Sequence, residues 1–230
     1  MSENTKPASK KLFIAVLSRY ILVFILLGLL FFTTAGTFRY MNGWLYIITM
    51  MIVMGAGFIV LYTKDKTLLE KRTKTSEKEK SQRIFIALSI ILLTAMYALP
   101  GFDFRYGWTS VPLWLVLLST LFLVIGYSMY IRVMLQNTYA SRVVEIQEKQ
   151  ELIDTGLYSI VRHPMYLASV FIFVSSPLIL GSFVAFIPGA LFPLTFILRI
   201  SNEEKVLLEG LDGYADYMKR VKYRLIPFIW

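Results

Sequence analysis

At 230 residues, 57% of them hydrophobic, with a mean hydropathy of +0.61, the chain has more apolar surface than a soluble domain buries; soluble domains sit near about 45–50% apolar. The absence of cysteine excludes disulfides and thiolate metal sites, and a single histidine excludes an imidazole metal cluster. A formal net charge of +9 does not point to nucleic acid, because the basic residues are confined to stretches between apolar runs.

Residues 1–11 read as a polar, disordered tail. Apolar segments long enough to cross a bilayer, about 20 residues each, follow at roughly 12–32, 44–62, 84–99 and 111–135. The first begins too deep, runs too long and lacks the small-residue cleavage site of a removable signal peptide. Between the second and third lies the mixed-charge loop 63–83, a solvated connector near anionic headgroups. Pro100–Gly101 is expected to end the third run, which makes it short. Two further runs, 165–180 and 182–200, are separated only by Gly181 and must be antiparallel neighbours. Pro177, Pro188 and Pro193 should bend them. The fold class that follows is all-α, a multi-pass membrane helical bundle of about six spanning segments with a cytoplasmic C-terminal helix.

Lysine and arginine orient the bundle. With both termini cytoplasmic, the opposite side keeps only Arg39 and Arg105. The segment 136–162 is too polar to span and lies on the cytoplasmic surface, with Arg142, Glu145, Glu148, Lys149, Glu151 and Asp154. Its apolar residues Val143, Val144, Ile146, Leu152 and Ile153 fold it back over the membrane face. Pro164 stands where a helix starts, with His163 at the N-cap and backbone N–H groups turned toward any anion nearby. After the hairpin, a helix from about Ser201 to Leu211 is expected, with Ser201 or Asn202 near its cap and Glu203 and Glu204 in its first turn. Arg199 and Glu203, four residues apart, then share a face.

Each feature has a plain structural explanation. A lone histidine is usually a satisfied core residue, a glutamate pair complements a helix dipole, an arginine at a membrane edge snorkels, and Tyr214 and Tyr217 suit an interfacial aromatic belt. The ordered set is more specific. The run Gly156–Leu157–Tyr158–Ser159–Ile160–Val161–Arg162–His163–Pro164–Met165–Tyr166 precedes an apolar hairpin, then R-x-x-x-E-E at Arg199–Glu204, Y-x-x-Y at Tyr214–Tyr217 and R-L-I-P at Arg224–Pro227. Over roughly residues 135–228 this order resembles the isoprenylcysteine carboxyl methyltransferase family and, more distantly, the phospholipid N-methyltransferases.

The resemblance implies S-adenosylmethionine as methyl donor and a methyltransferase core over 135–230, with 1–134 contributing the other membrane helices. It assigns Tyr158, Arg162, His163 and Tyr166 to the cofactor-binding segment, with Leu152, Ile153, Gly156 and Leu157 as its preceding wall. Glu204, and Glu203 beside it, would close the pocket, and Arg199 would stand near the reacting groups. These residue types suit the donor. A glutamate pairs with its ammonium or bridges ribose hydroxyls, His163 or the N–H groups after it hold its carboxylate, and aromatic rings suit a sulfonium. The acceptor is lipophilic, most like a prenylcysteine carboxylate, with a phospholipid amine or a small thiol as alternatives. From a different class stands a transporter or assembly protein, though the spans carry few mid-bilayer charges. The chain departs from the family pattern at Leu211–Asp212–Gly213–Tyr214, one residue short, and at Tyr139, where tryptophan is frequent.

Overall fold

A computed structural model of the protein describes residues 6–64, 83–139, 146 and 150–230. Most of loop 63–83, together with Arg142, Val143, Val144, Glu145, Glu148 and Lys149, lies outside the described residues. The elements in chain order are α1 (Lys6–Ala35), α2 (Met41–Lys64), α3 (Arg83–Tyr106), α4 (Leu113–Gln136), a 3-10 turn (Gly156–Ser159), α5 (Pro164–Ile179), α6 (Phe183–Leu191), a second 3-10 turn (Phe192–Leu194), α7 (Thr195–Gly210) and α8 (Tyr214–Arg220). There is no strand among the described residues.

Five stretches are long and apolar enough to cross a membrane, at Phe13–Ala35, Met41–Lys64, Ala87–Tyr106, Leu113–Gln136 and Phe183–Gly210, and α5 is a shorter apolar helix. The multi-pass helical bundle expected from the sequence is therefore present. Its surface is inverted relative to a soluble protein. Ile48, Ile52 and Ile59 of α2, and Leu113, Trp114, Leu117 and Leu121 of α4, are exposed, while Ser176, Asp103 and Thr195 are buried. Exposed apolar side chains cost nothing against lipid, and buried hydroxyls join helices where water is absent. Tyr46 of α2 meets Tyr97 of α3 at 2.9 Å and Ser176 of α5 at 3.0 Å, which ties three helices through their hydroxyls.

Three boundaries differ from expectation. The first helix already begins at Lys6, within the stretch read as a polar tail, and residues 1–5 lie outside the described residues. The third helix does not stop at Pro100–Gly101 but continues to Tyr106. Contacts from other parts of the chain stand where the proline would break it. A Cβ at Gly101 would stand 1.9 Å from Thr34 Oγ1 and 2.9 Å from the Ala35 nitrogen, so α1 and α3 touch there backbone to backbone. Beyond that seam, Asp103 is fully buried and accepts the Thr109 amide and hydroxyl, both at 2.6 Å, and the Ser182 hydroxyl. Ser182 in turn caps α6 by accepting the Ala185 N–H at 3.0 Å. Those contacts fix the hairpin turn at Gly181, which adopts φ +81°. The third difference is α7. It runs unbroken from Thr195 through Gly210, so no cap exists at Ser201, whose hydroxyl instead donates to the Ile197 carbonyl at 2.8 Å. The break lies earlier, at the 3-10 turn that contains Pro193.

The most extensive helix contact brings α5 onto α4. A Cβ at Gly126 would meet Phe171 Cβ at 2.9 Å and the Ala168 carbonyl at 3.0 Å. This contact hangs the first turn of α5, with His163 and Tyr166, beside the C-terminal end of α4.

Candidate functional site

One end of the bundle gathers the C-terminus of α4, the 3-10 turn, the start of α5, the polar end of α7, and α8. There the chain encloses a pocket lined by Asn137, Tyr139, Gln150, Glu151, Leu152, Ile153, Tyr158, Arg162, His163, Pro164, Met165, Tyr166, Arg199, Glu203, Val206, Leu207, Leu211, Tyr214 and Tyr217.

The motif 156–166 reaches this site because three parts of the chain hold it. Gly156 adopts φ +56°, and a Cβ there would stand 2.6 Å from Gln136 Nε2, so glycine lets the turn close onto the end of α4. Tyr158 accepts a hydrogen bond from Asn137 Nδ2 at 2.9 Å, and its carbonyl accepts the Tyr217 hydroxyl at 2.7 Å. The C-terminal segment then pairs with the motif backbone. The N–H groups of Arg162 and His163 donate to the carbonyls of Tyr223 and Arg224, each at 2.9 Å. The backbone N–H of His163 is therefore engaged within the protein.

Two carboxylates three and four residues past Ile200 have separate surroundings. Glu204 is 3% exposed and does not line the pocket. Its Oε1 accepts Arg162 Nε at 2.7 Å and lies 3.2 Å from His163 Nε2. Arg224 Nε sits 2.9 Å from Oε2, off hydrogen-bonding geometry, so that contact is a charge pairing. Arg162 also donates to the carbonyls of Val221 at 2.8 Å and Lys222 at 3.0 Å. Glu204 is thus the centre of a buried ionic knot that joins α5, α7 and the C-terminal segment.

Glu203 faces the pocket. Its Oε2 accepts the Tyr166 hydroxyl at 2.8 Å, and the Tyr166 oxygen in turn accepts Arg199 Nε at 2.8 Å. Its other oxygen, Oε1, lies 4.0 Å from His163 Nδ1. Arg199 and Glu203 share a helical face as expected, but a tyrosine from another helix sets their spacing. Neither glutamate occupies a first helical turn, because α7 starts at Thr195.

Of the residues singled out by sequence, Leu152, Ile153, Tyr158, Arg162, His163, Tyr166, Arg199 and Glu203 line one pocket. Gly156, Leu157 and Glu204 support it from behind. Sequence reasoning gave no pocket role to Asn137, Gln150, Val206, Leu207 or Leu211, nor a partner to Arg224. The plain alternative for Tyr214 and Tyr217, an interfacial aromatic belt, does not fit, since both are buried, at 3% and 1% exposure, with ring centroids 5.6 Å apart. Burial pushes both phenols well above the usual range, and the charge of Glu204 adds to this at Tyr214. Their i, i+3 spacing was the available signal. The one-residue shortening before Tyr214 is absorbed by Gly213 at φ +78°, a conformation glycine adopts without strain.

No group of three or more histidine, cysteine, aspartate or glutamate side chains able to hold a metal ion occurs among the described residues. What the pocket offers is an arginine–tyrosine–glutamate chain, a histidine, aromatic faces and an apolar wall of Leu152, Leu207 and Leu211. Such a set matches a ligand that carries both charges and an apolar, planar part. Residues 116–209, which run from α4 through α5 and α6 to the end of α7, match the model of the isoprenylcysteine carboxyl methyltransferase family. A search among curated proteins found no match to the chain. The family match supports, in general terms, a membrane methyltransferase that uses S-adenosylmethionine.

Proposed function

We propose that this protein transfers a methyl group from S-adenosylmethionine to a lipophilic acceptor at the cytoplasmic face of a membrane. The acceptor it suits best is the carboxylate of a prenylcysteine-type compound. The observation that carries this reading is the meeting of Arg199, Tyr166 and Glu203 in a pocket where an apolar hairpin emerges into polar chain. We assign the chemistry to residues 135–230 and a scaffolding role to 1–134; the matched stretch, 116–209, begins within α4.

The donor supplies an electrophilic methyl on a sulfonium. Around it, Glu203 carries the negative charge that suits the donor's ammonium, and the aromatic rings of Tyr158 and Tyr166 suit the sulfonium. Leu152, Leu207 and Leu211 give an adenine ring an apolar wall. Arg199 orients a carboxylate acceptor, which is already a nucleophile and needs no base. The main catalytic resource is therefore alignment in a site screened from water. Tyr166 holds Arg199 and Glu203 at fixed spacing, and Glu204 keeps Arg162 and His163 in position. An amine acceptor would have to lose a proton, a task that would fall to Glu203. The positive-inside bias supports cytoplasmic termini.

The test supplies labelled donor to membranes that contain the protein. Prenylcysteine-type methylation releases volatile methanol in base, whereas an N-methyl or S-methyl product retains its label. Purified protein should also be stabilised thermally by S-adenosylhomocysteine. Absence of any stabilisation at millimolar concentration, with no label transferred, would sink the enzymatic reading in favour of a transporter or assembly protein.

A further inference from the structure

Tyr214 lines the pocket from α8 with its ring almost wholly covered, at 3% exposure, yet its hydroxyl has no hydrogen-bond partner among the described residues. Its helical neighbour makes the contrast clear: Tyr217, three residues on, donates to the Tyr158 carbonyl at 2.7 Å. A buried donor left unmade forfeits the hydration it lost on folding and regains nothing. Phenylalanine would fill the same space without that cost, so the hydroxyl is suited to a partner that the described residues do not supply.

Its surroundings indicate the partner's chemistry. The cluster that Tyr214 forms with Tyr217 and Val221 packs against Leu152, Leu207 and Leu211, an apolar wall. The charges of Glu204, Arg162 and Glu203 are also close enough to act on it. Burial and the nearby carboxylates keep the phenol protonated, so it acts as a donor. The adenosine half of the proposed methyl donor combines a planar apolar face with neutral acceptor atoms, whereas the amino-acid half carries full charges suited to Arg199 and Glu203.

We infer that Tyr214 is a cofactor-binding residue whose hydroxyl donates a hydrogen bond to an acceptor atom on the adenosine half of the methyl donor. This rests on the methyltransferase reading above. A competing partner exists in Glu204 Oε2, which also lacks a hydrogen bond and is met only by Arg224. If Tyr214 served that oxygen, its hydroxyl would stabilise the protein without ligand.

Tyr214→Phe separates the two. Full-length wild type and variant, purified in nanodiscs, are compared by thermal unfolding without ligand and by binding of S-adenosylhomocysteine and of 5′-methylthioadenosine, which lacks the amino-acid half. The expected result is an unfolding temperature equal to or above wild type, with both ligands weakened about 3- to 10-fold, the worth of one neutral hydrogen bond. Unchanged binding of both ligands overturns the inference. So does weakening of S-adenosylhomocysteine alone, which would move the contact to the amino-acid half, or a lowered unfolding temperature without ligand, which would make the hydroxyl a structural partner of Glu204. If wild type binds neither ligand, the methyltransferase reading falls and takes the inference with it. If wild type binds and the variant binds equally, only the inference falls.

Discussion

Replacing Glu204 by alanine should cost stability first and ligand binding only in consequence. Truncation removes the one carboxylate shared by Arg162, His163 and Arg224. Breaking a buried ion pair from one side typically costs about 3–5 kcal/mol, because the remaining charge is left without a partner. The structure argues for the lower end. Arg162, with a side chain 5% exposed, keeps its two bonds to the Val221 and Lys222 carbonyls, and Arg224, 35% exposed, can regain water. A loss of about 3 kcal/mol in a chain of this size lowers the unfolding midpoint by about 6–12 °C. Glu204→Gln keeps an acceptor for Arg162 Nε but loses the charge, so it should fall roughly midway. The assay is thermal unfolding in detergent at one fixed scan rate, which makes the comparison valid even when unfolding is irreversible. An unfolding temperature within a degree of wild type for Glu204→Ala, combined with lost S-adenosylhomocysteine binding, would refute the ionic-knot argument. It would return Glu204 to the pocket.

Three further outcomes are expected. Tyr166→Phe removes the hydroxyl that links Arg199 to Glu203 and should lower methyl transfer about 10- to 100-fold, as hydrogen bonds to charged groups contribute about 1.5–3 kcal/mol; a rate equal to wild type in the labelled-donor assay contradicts the positioning role. Gly101→Ala forces a Cβ into the α1–α3 seam and should destabilise by about 1–3 kcal/mol through overpacking, read as a lower unfolding temperature; the same change at Gly107, with nothing within 4 Å of its Cβ, separates crowding from the strain of its φ of +66°. Deleting residues 222–230 removes the carbonyls that accept the Arg162 and His163 N–H groups and should abolish stabilisation by S-adenosylhomocysteine; a deletion variant that still shows the full thermal shift argues against the clamp.

Much of the fold was legible because lipid imposes a coarse rule: long apolar runs become helices whatever their detailed sequence. Boundaries were less legible where tertiary contact overrode a local signal. Pro100 looks like a stop, but the seam at Gly101 and the bonds around Asp103 carry α3 onward. Ser201–Asn202 looks like a cap, yet α7 is already in its second turn there. At the site, motif order picked out eight pocket-lining residues because charge and histidine are conspicuous beside apolar runs. It could not distinguish Glu203 from Glu204. Adjacent residues on a helix point about 100° apart, and only packing decides which side meets the pocket. The apolar wall of Leu207 and Leu211 was indistinguishable from ordinary helix filler.

The length of α5 has a consequence for where the reaction would occur. Sixteen residues at about 1.5 Å per residue give about 24 Å, against a hydrocarbon thickness of about 30 Å. With the Gly181 turn set at the far surface, as the proposed orientation would have it, the end that bears His163 and Tyr166 would stop short of the near headgroup plane. An acceptor of the proposed kind could then present its reactive head without lifting its tail from the leaflet. Under that placement, thicker bilayers would recess the pocket further and thinner ones would bring it toward an aqueous donor.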